Sequence, residues 1–114
     1  MITQPTYSVD IYIGGDHANL APAVQRYVDS VGLCVTVTPT TFHYTNGAEP
    51  GVVVGLKQYP RFPKRPEDLD KLAVELAQHL CYSAEQQTAL VVTPATTYWL
   101  REGTSTKIAE ESPL

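Results

Sequence analysis

The sequence is poor in the features that announce many protein classes. Only two cysteines, Cys34 and Cys81, occur in 114 residues, which makes neither a zinc-ligand spacing nor a disulfide framework. They read as reduced thiols of a cytoplasmic protein. No apolar run approaches the roughly 20 residues of a membrane helix. Met1 to Asp10 also lacks the charged-then-apolar order of a signal peptide. Charged residues make up only 18% and apolar ones 43%, outside the range of a disordered chain. Basic residues are the scarcer sign, eight against twelve acidic for a net charge of −4. That balance excludes sequence-independent coating of nucleic acid. The length supports a single domain with one core.

What charge there is falls unevenly. Residues 102–114 hold Glu102, Glu110 and Glu111 against Lys107 in a polar stretch without periodicity. They are expected to form a flexible C-terminal tail after a domain spanning 1–101. Lys57, Arg61, Lys64 and Arg65 lie within nine consecutive residues, half of all Lys and Arg. An acidic chain therefore carries one basic segment.

Ser8 to Ile13 alternates Val9, Ile11 and Ile13 with Asp10 and Tyr12, the period of a half-buried strand. After Gly14-Gly15-Asp16, an apolar stripe of Leu20, Ala21, Val24, Val28 and Val31 predicts a helix. Asn19 is the expected N-cap, because Pro22 then lies in the first turn, where no backbone N–H is needed. Gly32 is the expected stop. Leu33 to Thr45 and Gly51 to Tyr59 read as two strands joined by a turn around Asn46-Gly47. Pro60, Pro63 and Pro66 punctuate a stiff loop. A second helix opens at Pro66 with Glu67 and Asp68 at its positive end, and carries the stripe Leu69, Leu72, Ala73, Leu76, Ala77, Leu80. A last strand is expected from Thr88 to about Leu100.

The order β-α-β-β-α-β predicts an α+β, ferredoxin-like sandwich: one four-stranded antiparallel sheet with two helices on one face. Val35 to Thr41 and Leu90 to Thr96 resemble each other as an internal repeat. This topology makes strands two and four the sheet edges, where Pro39 and Pro94 are tolerated.

Two surfaces follow. One end of the sheet is expected to gather Lys57, Tyr59, Arg61, Phe62, Lys64 and Arg65 with Tyr98, Trp99 and Arg101 from the last strand. Cations beside aromatic rings suit a small planar anion. The face without helices is expected to present Tyr12, Thr36, Thr38 and Thr93, an interface for a homodimer.

No constellation of nucleophile, base and orienting group stands out, and no metal or cofactor is implied. Ile13 to Ala18 is similar to the opening loop of the ribose-5-phosphate isomerase B family. That family's later Gly-rich loop and parallel α/β pattern are missing. Ile11 to Gly14 looks like the first motif of RNA-recognition modules, yet Gly51 to Leu56 lacks the aromatic residues of the other. His43-Tyr44-Thr45 fits half of a two-histidine phosphoesterase signature; the second histidine is absent. A nucleophilic role is not expected for Cys34 or Cys81, and His79 flanks the apolar stripe of the second helix, where it is expected to be packed or half-exposed.

A longer pattern is more specific. Gly32-Leu33-Cys34-Val35-Thr36-Val37-Thr38-Pro39-Thr40, Glu49-Pro50-Gly51-Val52-Val53-Val54-Gly55-Leu56 and Tyr59-Pro60-Arg61-Phe62-Pro63 resemble short uncharacterised proteins of phages and prophages. The resemblance implies a setting, the host-cell cytoplasm, and no particular chemistry. It leads to a small accessory protein that acts by binding a host protein or sequestering an anionic or nucleotide ligand. The alternative is an enzyme on a phosphorylated or nucleotide substrate, using His43 or the Asp16-His17 loop.

Overall fold

The computed structural model describes residues 1–101, so the expected tail lies outside the described residues. Seven elements follow in the order β1 (Ser8–Gly14), α1 (His17–Val31), β2 (Val35–Tyr44), β3 (Gly47–Lys57), α2 (Pro66–Ala84), β4 (Thr88–Val92) and β5 (Thr97–Arg101). They build one antiparallel sheet of order β2-β3-β1-β4-β5. The α+β, ferredoxin-like arrangement of the first four strands and two helices is as the sequence predicts. The number of strands is not.

The expected single strand from Thr88 to Leu100 folds back on itself. Thr93 is the reason. Its hydroxyl donates to the Thr96 carbonyl (2.9 Å) and accepts from the Thr96 and Ala95 N–H groups (2.9 and 3.3 Å). A backbone bond from Thr93 N–H to the Thr96 carbonyl closes the turn, the local hydroxyl turn that competes with a continuing ladder. Pro94 therefore sits in a turn and not in an edge strand, and β5, not β4, is the sheet's edge.

One face of the sheet is core. Val9, Ile11 and Ile13 of β1, Val52, Val54 and Leu56 of β3, and Ala89 and Val91 of β4 are fully buried. They pack beneath Leu20, Ala23 and Val24 of α1 and Leu69, Ala73, Leu76, Ala77 and Leu80 of α2. At about 25 cal/mol per Å2 of apolar surface, this layer is the main source of stability. Helix α1 lies over β2 and β3, α2 over β1 and β4.

Helix α1 begins earlier than the proline argument predicts. Asp16 is the N-cap, in extended conformation, and accepts the Asn19 and Leu20 N–H groups on its carbonyl. Pro22 thus lies inside the helix; burying Leu20 decides the start against the local proline preference. Gly32 ends the helix in left-handed conformation (φ 72°), as expected. Pro66 opens α2 at its first turn.

The third departure is the β2–β3 hairpin. Its turn is only Thr45-Asn46, with Asn46 at φ 68° and Tyr44 paired with Gly47. Strand β1 ends at Gly14, opposite Gly51. Residues 41–50 therefore pair only with each other and project beyond the sheet as a two-stranded arm. A hydrogen bond from Gly15 N–H to the Pro50 carbonyl (3.0 Å) ties down its base.

Candidate functional site

Strand parity assigns every side chain to a face. The open face receives Thr36, Thr38, Thr40, Phe42 and Tyr44 from β2, and Gly47, Glu49, Gly51, Val53, Gly55 and Lys57 from β3. Asp10, Tyr12 and Gly14 come from β1, Leu90 and Val92 from β4, and Thr97, Trp99 and Arg101 from β5. Tyr12, Thr36 and Thr38 thus lie where the sequence places them. Thr93 does not: it is buried, and its hydroxyl is consumed by the β4–β5 turn.

The expected basic cluster is dispersed, because β5 runs back up the sheet. Arg101 is opposite Thr88 at the far end from Lys57, and Trp99 is opposite Leu90 in the middle. Tyr98 pairs with Val91 on the helix side. Within the loop the cations are occupied. Lys64 Nζ donates to the Gly32 carbonyl (3.0 Å), adding positive charge at the C-terminal end of α1. Arg65 pairs with Asp68 (3.0 Å) and Glu67 (3.7 Å) at the start of α2. The Asp68 carboxyl is held below its usual range, chiefly by the Arg65 hydrogen bond. Gln58 closes the loop through its side-chain bonds with the Lys64 backbone. Arg61 lies over Phe62 (6.0 Å), which stacks on Tyr59 (6.4 Å, 23°). This loop is a structural clasp.

The histidines do not converge either. His43 has the opposite parity to Phe42 and Tyr44 and faces away from the open side. His17 is the exposed first residue of α1. His79 lies against Tyr27 on the helices, ring centroids 6.2 Å apart. Asp16 lines a polar cleft of about 490 Å3 with Gly15, Asn19, Arg26, Ser83 and Glu85. Cys81 is buried and Cys34 half-buried. Among the described residues, no group of three His, Cys, Asp or Glu is placed to hold a metal.

A different group does converge, at the base of the arm. Gly14 and Gly51 are register partners on the open face. The Phe42 ring occupies the space above Gly51 that a side chain there would fill. Above Gly14, Glu49 Oε2 and Gln86 Oε1 lie 3.2 and 3.3 Å from where a Cβ would stand. A glycine-floored shelf thus carries an aromatic ring, a carboxylate and a carboxamide side by side. Glu49 makes no ion pair among the described residues. Such a set can stack on a planar ring, accept from hydroxyls and attract a cation.

Phe42, Glu49, Gly14, Gly51 and Gln86 are not among the site residues that the sequence singles out. One signal is present in it. Gly47, Gly51 and Gly55 recur every four residues in a strand, which keeps all three on one face.

Solved structures with the same arrangement of elements include two phage proteins. A phage SAM lyase in complex with S-methyl-5'-thioadenosine superimposes with a TM-score of 0.71 at 12% identity, covering 93% of this chain and 97% of that one. A phage SAM lyase in the apo state gives a TM-score of 0.63 at 13% identity, covering 88% and 92%. The likeness is one of fold. A scan against family models gives no match, and a search of curated proteins gives none either. Among the described residues, no helix is long and apolar enough to cross a membrane.

Proposed function

We propose that this chain is a phage-type accessory protein that binds a small nucleoside of the adenosine class on the shelf at the base of the arm. The observation that carries the reading is the convergence of Glu49 and Gln86 over Gly14, beside the Phe42 ring over Gly51. The ring offers a stacking surface, and the carboxylate accepts from vicinal ribose hydroxyls or faces a sulfonium. The fold neighbour with S-methyl-5'-thioadenosine bound supports this ligand class. The basic loop is set aside as the ligand seat, since Lys64 and Arg65 are engaged within the chain.

A second reading, turnover of the ligand, is favoured by one observation: a carboxylate without an ion-pair partner among the described residues faces the shelf. It replaces His43 and the Asp16-His17 loop as the group on which chemistry would rest.

Isothermal titration with S-methyl-5'-thioadenosine, adenosine and inorganic phosphate tests the binding reading. The nucleosides are expected to bind and phosphate is not. Glu49→Gln and Phe42→Ala are each expected to weaken binding about 10- to 100-fold, the scale of a lost charge-assisted hydrogen bond or stacking contact. Absence of nucleoside binding by the unmodified chain would refute it. Incubation with S-adenosylmethionine, followed by chromatography for S-methyl-5'-thioadenosine, separates turnover from simple sequestration.

A further inference from the structure

We infer that the polar cleft between the start of α1 and the end of α2 is a second binding site, for a free basic amino acid such as L-lysine. The inference does not rest on what the shelf binds. Three observations carry it.

The first is a set of charges that do not neutralise one another. Asp16, Arg26 and Glu85 line one cleft of about 490 Å3, within the roughly 300–1,000 Å3 of small-molecule sites. Among the described residues none of the three makes an ion pair, and no Arg26 nitrogen lies within 4.0 Å of either carboxylate. The cleft thus holds two carboxylates and a guanidinium kept apart. A ligand with two ammonium groups and one carboxylate matches that set group for group.

The second is the pair of helix ends. Helix α1 begins at the cleft and α2 ends there, which brings a partial positive and a partial negative charge to one place. Helix α1 has no acid in its first turn, and α2 has no basic residue in its last. Neither end is compensated from within its own helix. The ligand carboxylate belongs on the side of Arg26 and the α1 start. An ammonium belongs at Glu85 and the last carbonyls of α2.

The third is that two of these residues are placed against local stability. Asp16 caps α1 through its backbone carbonyl and makes no side-chain capping bond, which leaves its carboxylate to the cleft. Glu85 takes the left-handed conformation (φ 55°) that glycine or asparagine adopts more readily. It also puts an acid at the negative end of a helix. Glycine or lysine would serve α2 better there. Strain retained at such a position points to a functional demand on it.

These observations select a basic amino acid over simpler ions. Two carboxylates repel phosphate, and the guanidinium repels a metal cation. A neutral amino acid leaves one carboxylate unmatched. Exposed charges contribute little singly, so recognition needs all three at once.

The test is isothermal titration of the full chain with L-lysine, expected to bind with a Kd below about 1 mM. L-alanine lacks the side-chain ammonium, Nα-acetyl-L-lysine the α-ammonium and cadaverine the carboxylate. Each should bind at least about 10-fold more weakly, the scale of one charge-assisted hydrogen bond. Arg26→Gln and Glu85→Gln should weaken lysine binding by a similar factor. Both side chains are exposed, so circular dichroism should show the variants folded. Glu85→Gly separates recognition from structure: it should weaken lysine binding while holding or raising the melting temperature. Absence of saturable L-lysine binding by the unmodified chain would overturn the inference. So would equal binding of cadaverine or alanine, variants indifferent to the change, or a lower melting temperature for Glu85→Gly.

Discussion

Phe42 and Gly51 are built as a pair: the ring of one fills the volume that the missing side chain of the other leaves open. The ring keeps Gly51 buried on a face that no helix covers. A Cβ at Gly51 would also stand 2.7 Å from the Ile13 carbonyl oxygen, which belongs to the backbone and cannot rotate away.

Gly51→Ala is therefore expected to destabilise the chain by about 1–3 kcal/mol, the usual cost of overpacking. It should also displace Phe42 and weaken nucleoside binding. Urea denaturation and titration calorimetry read the two effects. Unchanged stability would show that the ring does not hold this position.

Thr93 should matter for the fold and not for an interface. Thr93→Ala removes a buried hydroxyl with three partners in the β4–β5 turn and is expected to cost about 1–2 kcal/mol. Thr93→Ser should retain most of that stability in the same denaturation series. If both variants matched the unmodified chain, the turn would not depend on the hydroxyl.

Tyr27 predicts how stability changes in alkali. Its hydroxyl donates to Glu75 Oε1 and to the Leu72 carbonyl. Burial first, then the Glu75 carboxylate, raises its pKa from 10.0 to about 12. The folded chain keeps this proton where the unfolded chain has lost it, so the contribution is complete below pH 10 and is lost between about 10 and 12. Tyr27→Phe should remove part of that alkaline loss, measured by denaturation across the same range. A loss of equal size in the variant would assign it to other groups.

Lys64 and Arg61 separate the clasp from the ligand site. Lys64→Ala should lower stability by about 0.3–1 kcal/mol through the α1 terminus. Combined with Arg61→Ala, it should leave nucleoside affinity unchanged in calorimetry. A tenfold loss of affinity would return the ligand seat to the basic loop.

Much of the fold is legible in the chain's own periodicities. The alternation of Val9, Ile11 and Ile13 and the stripe from Leu69 to Leu80 are patterns that only one burial arrangement satisfies. Asp16 and Pro22 show the limit of local reasoning: burial of Leu20 outweighs the proline's preferred position. The fifth strand is hidden because Thr88 to Val92 and Thr97 to Leu100 both have strand-forming residues, and Pro94 between them also fits an edge strand. The hydroxyl and backbone N–H of Thr93, turned back onto Thr96, interrupt it with Pro94 in the turn.

The candidate site is less legible, and the reason is again physical. A basic residue in a sequence carries no sign of its partner. Lys64 meets a carbonyl 32 positions away, which cancels its apparent availability. Glu49 and Gln86 come together only because β3 and β4 both flank β1.

The sequence by itself determined the order of the first elements, the core residues and the four-residue glycine rhythm of β3, because each is a periodicity and burial reads periodicity directly. Its two cysteines make no zinc-ligand spacing and no disulfide framework, and it contains no apolar run of membrane-helix length. Tertiary structure alone decided that Lys64 and Arg65 are engaged in a clasp, that the last strand turns back, and that a carboxylate, a carboxamide and a ring meet over two glycines. The bond from Lys64 to Gly32 and the meeting over the glycines join distant segments, whose distance no local pattern encodes, whereas Arg65 and Thr93 bond residues within three positions of themselves.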